Sequence, residues 1–213
     1  MNPAILRLMH LRDQVDAVGE TMAIERGRFD RLANRETRAV SAFNLFQTPE
    51  IVAAHMVDQL PPLAGKRILE PSAGLGRLYA AIRNIFCDCS ITLVENAPQC
   101  AAELYQLTAP DDAAQLIQAD FLTCDRDRLG GGFDVVLMNP PFKLGTDIRH
   151  IEHALTLLNP GGTLVSLCYA GSKQRAAFEN SPRCSWSLLP AASFKESGTR
   201  ADVALLVFSP VPV

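Results

Sequence analysis

Asn139-Pro140-Pro141-Phe142 is the segment whose residue types most directly suggest chemistry. Asn139 offers a side-chain carbonyl acceptor. The two prolines stiffen the backbone and remove two N–H donors, while their carbonyls can still accept. Phe142 adds a flat apolar face. Two acceptors beside an aromatic ring suit a planar substrate bearing an NH₂ group. The plainer alternative is a proline-stiffened turn with an Asn cap. A second segment, Glu70-Pro71-Ser72-Ala73-Gly74-Leu75-Gly76-Arg77, places glycines at 74 and 76, where a backbone can turn sharply and approach a ligand closely. The dinucleotide fingerprint wants a further glycine at position 79, but Tyr79 stands there, and no Lys-Ser/Thr pair makes a phosphate loop. A ligand without a pyrophosphate is expected.

Three acids complete the set. Glu95 lies 21 residues after Gly74, the spacing of an acid that accepts from both ribose hydroxyls of a nucleoside. Glu70 is suited to a cationic end such as an amino group. Asp120 can accept from an adenine amino group, and Phe121 can pack on the ring. Each acid follows a stretch that reads as a strand, so a single crevice can collect them.

The elements that position these residues follow from the hydrophobic pattern. Thr48-Pro49-Glu50 reads as a helix start, with Thr48 as cap and Pro49 at the first position, and Pro61-Pro62 ends that helix. From Lys66 onward strands alternate with helices. Strands are expected at 67–70, 91–95, 115–118, 133–138 and 163–169, and helices at 75–86, 98–107 and 147–158. The turn Asn159-Pro160-Gly161-Gly162 should close the last of these helices, and a short helix is expected over 172–179. Two final strands, at 185–189 and 201–209, lack a helix between them and should form an antiparallel edge pair. The alternation argues for a parallel sheet covered on both faces. Residues 4–40 read as helical, as an arm, a dimerisation helix, a lid, or a helix packed on the sheet edge.

In their order and spacing these motifs resemble class I S-adenosylmethionine-dependent methyltransferases. The likeness is closest to N6-adenine DNA methyltransferases, including small ones of phages and mobile elements, and covers residues 43 to 209. Phe46-Gln47-Thr48-Pro49 resembles the segment that touches the cofactor's methionine end. Glu70 to Gly76 resembles the cofactor loop, with Leu75 in place of the more usual Thr. The resemblance implies cofactor contacts from Phe46, Gln47, Thr48, Glu70, Ser72, Gly74, Gly76, Glu95, Asp120, Phe121 and Asn139. It implies catalytic roles for Asn139, Pro140 and Phe142. Phe194-Lys195-Glu196-Ser197-Gly198-Thr199 resembles the loop lining the target-base pocket, so Pro141, Lys143, Lys195, Ser197 and Thr199 are expected at the substrate. The implied fold is α/β: a Rossmann-like, seven-stranded, mostly parallel sheet in the order 3-2-1-4-5-7-6, with helices on both faces. A catalytic domain over 43–213 would follow an N-terminal helical extension over 1–42. The implied cofactor is S-adenosyl-L-methionine, with no metal. The implied reaction is methyl transfer to an exocyclic amino nitrogen, adenine N6 in DNA first. Asn-Pro-Pro motifs also serve enzymes acting on RNA and on protein glutamine. A non-catalytic cofactor-binding partner subunit, or a homodimer through the N-terminal helices, stays open.

Composition narrows the field. The 213 residues carry a net charge of −3 with 20% charged residues, an ordinary globular balance. No apolar run is long enough to span a membrane, and no secretory signal is read at the N-terminus, so a cytoplasmic protein is expected. Six cysteines include no C-x-x-C pair, so reduced, buried thiols are expected rather than a zinc site. Residues 51–170 hold 8 basic against 13 acidic side chains, whereas residues 171–213 hold 5 against 3. A nucleic-acid surface must therefore be local, with Lys173, Arg175, Arg183, Lys195 and Arg200 as candidates beside a plain solvated face. His150 and His153 make no H-E-x-x-H pattern and read as surface or capping residues. Ser166 and Cys168 lie inside a strand and do not read as nucleophiles.

Overall fold

The computed structural model describes residues 47–190, 193–194 and 202–209. The expected N-terminal extension over 1–42, and with it Phe46, Lys195, Ser197 and Thr199, lies outside the described residues. Helix α1, Glu50–Val57, leads into strand β1, Lys66–Pro71. Helix α2 (Arg77–Arg83), strand β2 (Cys89–Glu95), helix α3 (Pro98–Thr108) and strand β3 (Ala114–Gln118) follow. Strand β4 is Phe133–Met138, helix α4 Thr146–Leu157 and strand β5 Leu158–Tyr169. After a helical segment over 172–179, strands β6 (Cys184–Leu188) and β7 (Val203–Phe208) close the sheet.

The seven strands lie in the order β3-β2-β1-β4-β5-β7-β6, as the resemblance implied. The first five are mutually parallel, and β7 runs antiparallel to both β5 and β6. The near-continuous apolar runs of β1, β2, β4 and β5 follow from burial on both faces. One face buries Ile68, Leu93, Leu137 and Leu167 against Met56 of α1, Ile82 of α2 and Leu104 of α3. The other buries Val136, Met138 and Leu164 against Ile151 and Ala154 of α4 and Phe178. Two separate apolar layers make the sheet a rigid floor, and everything at its C-terminal edge inherits that rigidity.

Three of the differences from the expected boundaries have a visible physical cause. Pro49, not Thr48, stands at the cap of α1, and no side chain caps this helix; Pro49 O accepts from Ala53 N at 2.9 Å. Helix α2 starts at Arg77 rather than Leu75, because Gly74 and Gly76 hold left-handed backbones with φ of 58° and 76°. Strand β5 begins at Leu158, so Asn159 to Gly162 belongs to the strand rather than to a closing turn. Phe133 pairs with Leu158 and Val135 next pairs with Thr163, a register shift that takes up the intervening residues as a bulge, with Gly161 at φ 79°.

Candidate active site

Side chains alternate along a strand, so the face that carries Ile68, Leu93, Leu137 and Leu167 continues two residues later as Glu70, Glu95, Asn139 and Tyr169. All four stand at the C-terminal ends of parallel strands, on one face of one edge. That edge is the usual ligand crevice of an open α/β sheet. Because β1 lies directly beside β4, the turn after β1 and the proline turn after β4 open into the same crevice.

The turn after β1 has left-handed backbone at alternate residues: Ser72 at φ 60°, Gly74 at 58° and Gly76 at 76°. Such alternation points successive N–H groups inward and forms an anion-binding concavity. Here the anion is Glu95. Its Oε2 accepts from Gly74 N at 2.7 Å, and its Oε1 accepts from Ala97 N at 2.7 Å. Glu95 is buried to 6% exposure, so these bonds fix the carboxylate at the end of β2. Two of its roughly four lone-pair sites are taken, leaving acceptor capacity for a ribose. Gly76 serves packing rather than ligand approach: a Cβ there would stand 2.8 Å from Leu107 Cδ2 and 2.9 Å from Leu104 Cδ2.

Glu70 is 1% exposed. Burial pushes its carboxyl well above the ordinary carboxylate value; the Tyr79 backbone N–H, one of the orphan donors at the start of α2, pulls it down, and the nearby Glu95 charge pushes it up again. Its Oε2 has no hydrogen-bond partner. A buried unpartnered carboxylate oxygen is costly, and the group that satisfies it is a cation. The ammonium of an amino-acid ligand fits this atom.

On the β4 side, Asn139 Nδ2 donates to Thr48 Oγ1 at 3.0 Å, across 91 residues of sequence. Thr48 is therefore buried as the support of Asn139 rather than spent on capping α1. Gln47 reaches the other way, its Oε1 accepting from Arg77 Nε at 3.3 Å, while Arg77 also pairs with Glu50 at 3.2 Å. The Gln47-Thr48 step thus links the first turn of α2 to the end of β4, and no local pattern signals this long-range role. Pro140 is buried, Phe142 is half-buried against the same apolar layer as Leu137, and Pro141 and Lys143 are exposed. Leu144 follows at 94% exposure with a left-handed φ of 56°.

Two expected contacts change character. The Phe121 ring is 2% exposed, in the opposite apolar layer, with His150 and His153 ring centroids 5.6 Å and 4.8 Å away. A ring held in that core does not lie flat on a ligand in the crevice. Asp120 is exposed, and its Oδ1 accepts from Leu122 N at 3.0 Å, which holds the short turn after β3. His150 is buried, not at the surface. Its Nδ1 lies 3.0 Å from the Thr146 carbonyl, and burial lowers its pKa. Among the described residues no group of three or more His, Cys, Asp or Glu converges as a metal site, and no helix is long and apolar enough to cross a membrane.

This constellation can be set against known proteins. The Methyltransferase small domain profile matches residues 45–181, which include both turns and every strand end just described. The chain belongs to this family. Its strand order is that of the class I methyltransferase fold. Among curated proteins it is 26% identical over 119 residues to the rRNA N(6)-adenosine-methyltransferase metl-5 of Caenorhabditis elegans, covering 53% of this chain and 56% of that one. It is 29% identical over 121 residues to the Type II methyltransferase M.CvrRI of Paramecium bursaria Chlorella virus XZ-6E, covering 56% of this chain and 29% of that one. The chain thus spans little more than half the length of one curated relative and under a third of the other. In fold it matches TrmN from Thermus thermophilus with a TM-score of 0.60 at 16% identity, over 76% of this chain and 49% of that one. It matches the 23S rRNA methyltransferase ErmE with a TM-score of 0.59 at 16% identity, over 76% and 68%.

Proposed function

We propose that this chain is an S-adenosyl-L-methionine-dependent methyltransferase that acts on the exocyclic N6 of adenine in nucleic acid, with DNA as the first acceptor and RNA as the second. The observation that carries this reading is the hold of Thr48 on Asn139. The amide's donor end is committed to the Thr48 hydroxyl, which turns its carbonyl end away from that contact. An oriented carbonyl beside the Pro140 carbonyl suits an incoming NH₂.

When bound, S-adenosyl-L-methionine supplies a methyl group on a positively charged sulfur, an electrophilic carbon. Within this chain, Glu70 accepts from the ligand's ammonium, and Glu95 accepts from its ribose hydroxyls with the capacity left by Gly74 and Ala97. Asp120 stands on the adenine side, and Ser72 and Gly74 shape the intervening wall. Asn139 and the Pro140 carbonyl accept from the target NH₂. The nitrogen lone pair is otherwise delocalised into the ring, and these two bonds favour a tetrahedral nitrogen whose lone pair points outward. Orientation then contributes most of the catalysis. After gaining the methyl, the nitrogen is cationic and acidic, and its proton leaves to water, so Asn139 need not act as a base. A target base inside a duplex must leave the stack, and Phe142 offers it a ring to lie on. Residues 43–213 would form the catalytic domain, with 1–42 as an extension.

RNA is kept as the second acceptor because the nematode relative, which methylates rRNA, matches a similar share of this chain. The test is transfer of tritiated methyl from labelled S-adenosyl-L-methionine to purified DNA, RNA and protein pools. Incorporation into nucleic acid that is lost in Asn139→Ala supports the reading. Incorporation into protein alone refutes it.

A further inference from the structure

Tyr169 has no part in the chemistry above, yet it is the fourth member of the row Glu70, Glu95, Asn139, Tyr169. Met138 pairs with Ser166 across the parallel β4–β5 ladder, so the end of β5 runs beside the proline turn. An aromatic ring at the mouth of a crevice would normally fold onto neighbouring apolar surface, but this one is 44% exposed. Its position is fixed at the backbone and at the ring. The Tyr169 backbone N–H donates to Asp147 Oδ2 at 3.0 Å. Asp147 is itself fully buried and accepts from Gln174 Nε2 with both oxygens at 3.0 Å. Against the ring lies Gly171, where a Cβ would stand 2.7 Å from Tyr169 Cε1 and 2.8 Å from Cδ1. The φ of Gly171 is −87°, which any residue adopts, so what this glycine supplies is room for the ring. Exposed Lys173 stands two residues after Gly171, and exposed Lys143 directly follows the proline turn, so both turns carry a positive charge in an otherwise acidic domain.

We infer that Tyr169 is a stacking platform for a nucleobase next to the target adenine, so that it binds the acceptor strand and takes no part in holding the cofactor. This rests on the nucleic-acid reading above. A base–aromatic stack tolerates any base, because every base has a π-face, so Tyr169 adds grip on the strand with little sequence preference. The bound strand also offsets the exposure of the ring.

The test is steady-state kinetics on the acceptor that the wild type methylates, with cofactor affinity followed by calorimetry. Tyr169→Ala should raise the acceptor KM about tenfold, the scale of losing one stack, with the cofactor Kd unchanged. Tyr169→Phe should restore the KM, since the ring and not the hydroxyl makes the contact. Gly171→Ala leaves the tyrosine in place but pushes its ring aside, and it should raise the KM in the same direction. An acceptor KM in Tyr169→Ala equal to that of the wild type would overturn the platform while leaving the nucleic-acid reading intact. A wild type that methylates only protein would bring down both.

Discussion

Replacing Glu70 with Gln tests whether the orphaned oxygen is the seat of the cofactor's ammonium. The carboxyl is buried, raised well above its ordinary 4.5 chiefly by desolvation, and lacks a partner on Oε2. Gln keeps the shape and removes the charge. Losing a charge-assisted hydrogen bond costs about 1.5–3 kcal/mol, so the Kd for S-adenosyl-L-methionine should rise roughly 10- to 150-fold. The Kd for 5′-methylthioadenosine, which lacks the amino-acid arm, should not move. Binding of a cation favours the ionised carboxylate, so below the folded-state pKa of Glu70 the wild type should release a proton on binding the cofactor, and the variant should not. The ligand-free protein should show the opposite face of the same coupling. Above pH 4.5 the unfolded chain ionises Glu70 while the folded chain keeps its proton. That contribution to stability is complete below pH 4.5 and is lost as pH rises through the raised folded value. The Gln variant lacks this slope and should be the more thermostable at alkaline pH. Calorimetry in buffers of different ionisation heat reads the proton release, and thermal melts against pH read the slope. Equal weakening of both ligands, or unchanged affinity for S-adenosyl-L-methionine, would refute the assignment.

Further expectations follow from single contacts. Asn139→Ala should abolish transfer while cofactor affinity stays close to that of the wild type, measured by single-turnover kinetics and calorimetry. Thr48→Val deletes the acceptor of the Asn139 amide and should lower kcat with little change in cofactor Kd; full activity would remove Thr48 from the site. Glu95→Ala frees the Gly74 and Ala97 N–H groups and should weaken cofactor binding by about 1–3 kcal/mol in calorimetry. Gly76→Ala combines a left-handed backbone with a Cβ pressed on Leu104 and Leu107, and should destabilise the fold by about 1–3 kcal/mol in denaturant melts.

The architecture was legible because strand and helix periods alternate cleanly from Lys66 onward, and because apolar runs bounded by Gly and Pro mark buried parallel strands. Glu70, Glu95 and Asn139 stood out as polar residues ending such runs, and strand alternation puts all three on one face. What stayed hidden depends on contacts between distant parts of the chain. Thr48 looks like a helix cap until Asn139, 91 residues away, claims its hydroxyl. Gly76 looks like a ligand-facing glycine until α3 brings Leu104 and Leu107 against it. Phe121 looks available to a ligand until α4 lays His150 and His153 beside its ring. The bulge that carries β5 back to Leu158 reads as a turn because its Asn-Pro-Gly-Gly composition is that of a turn. Only the pairing with β4 draws it into the sheet.

The central claim is that the turn after β1 and the turn after β4 bring an activated methyl and an amino nitrogen into one crevice. Mass spectrometry of nucleosides from DNA and RNA incubated with methyl-deuterated S-adenosyl-L-methionine tests it most directly. The label should appear on N6 of adenine and vanish in Asn139→Ala. Label on a ring carbon or a ribose oxygen, or undiminished N6 label in that variant, would contradict it.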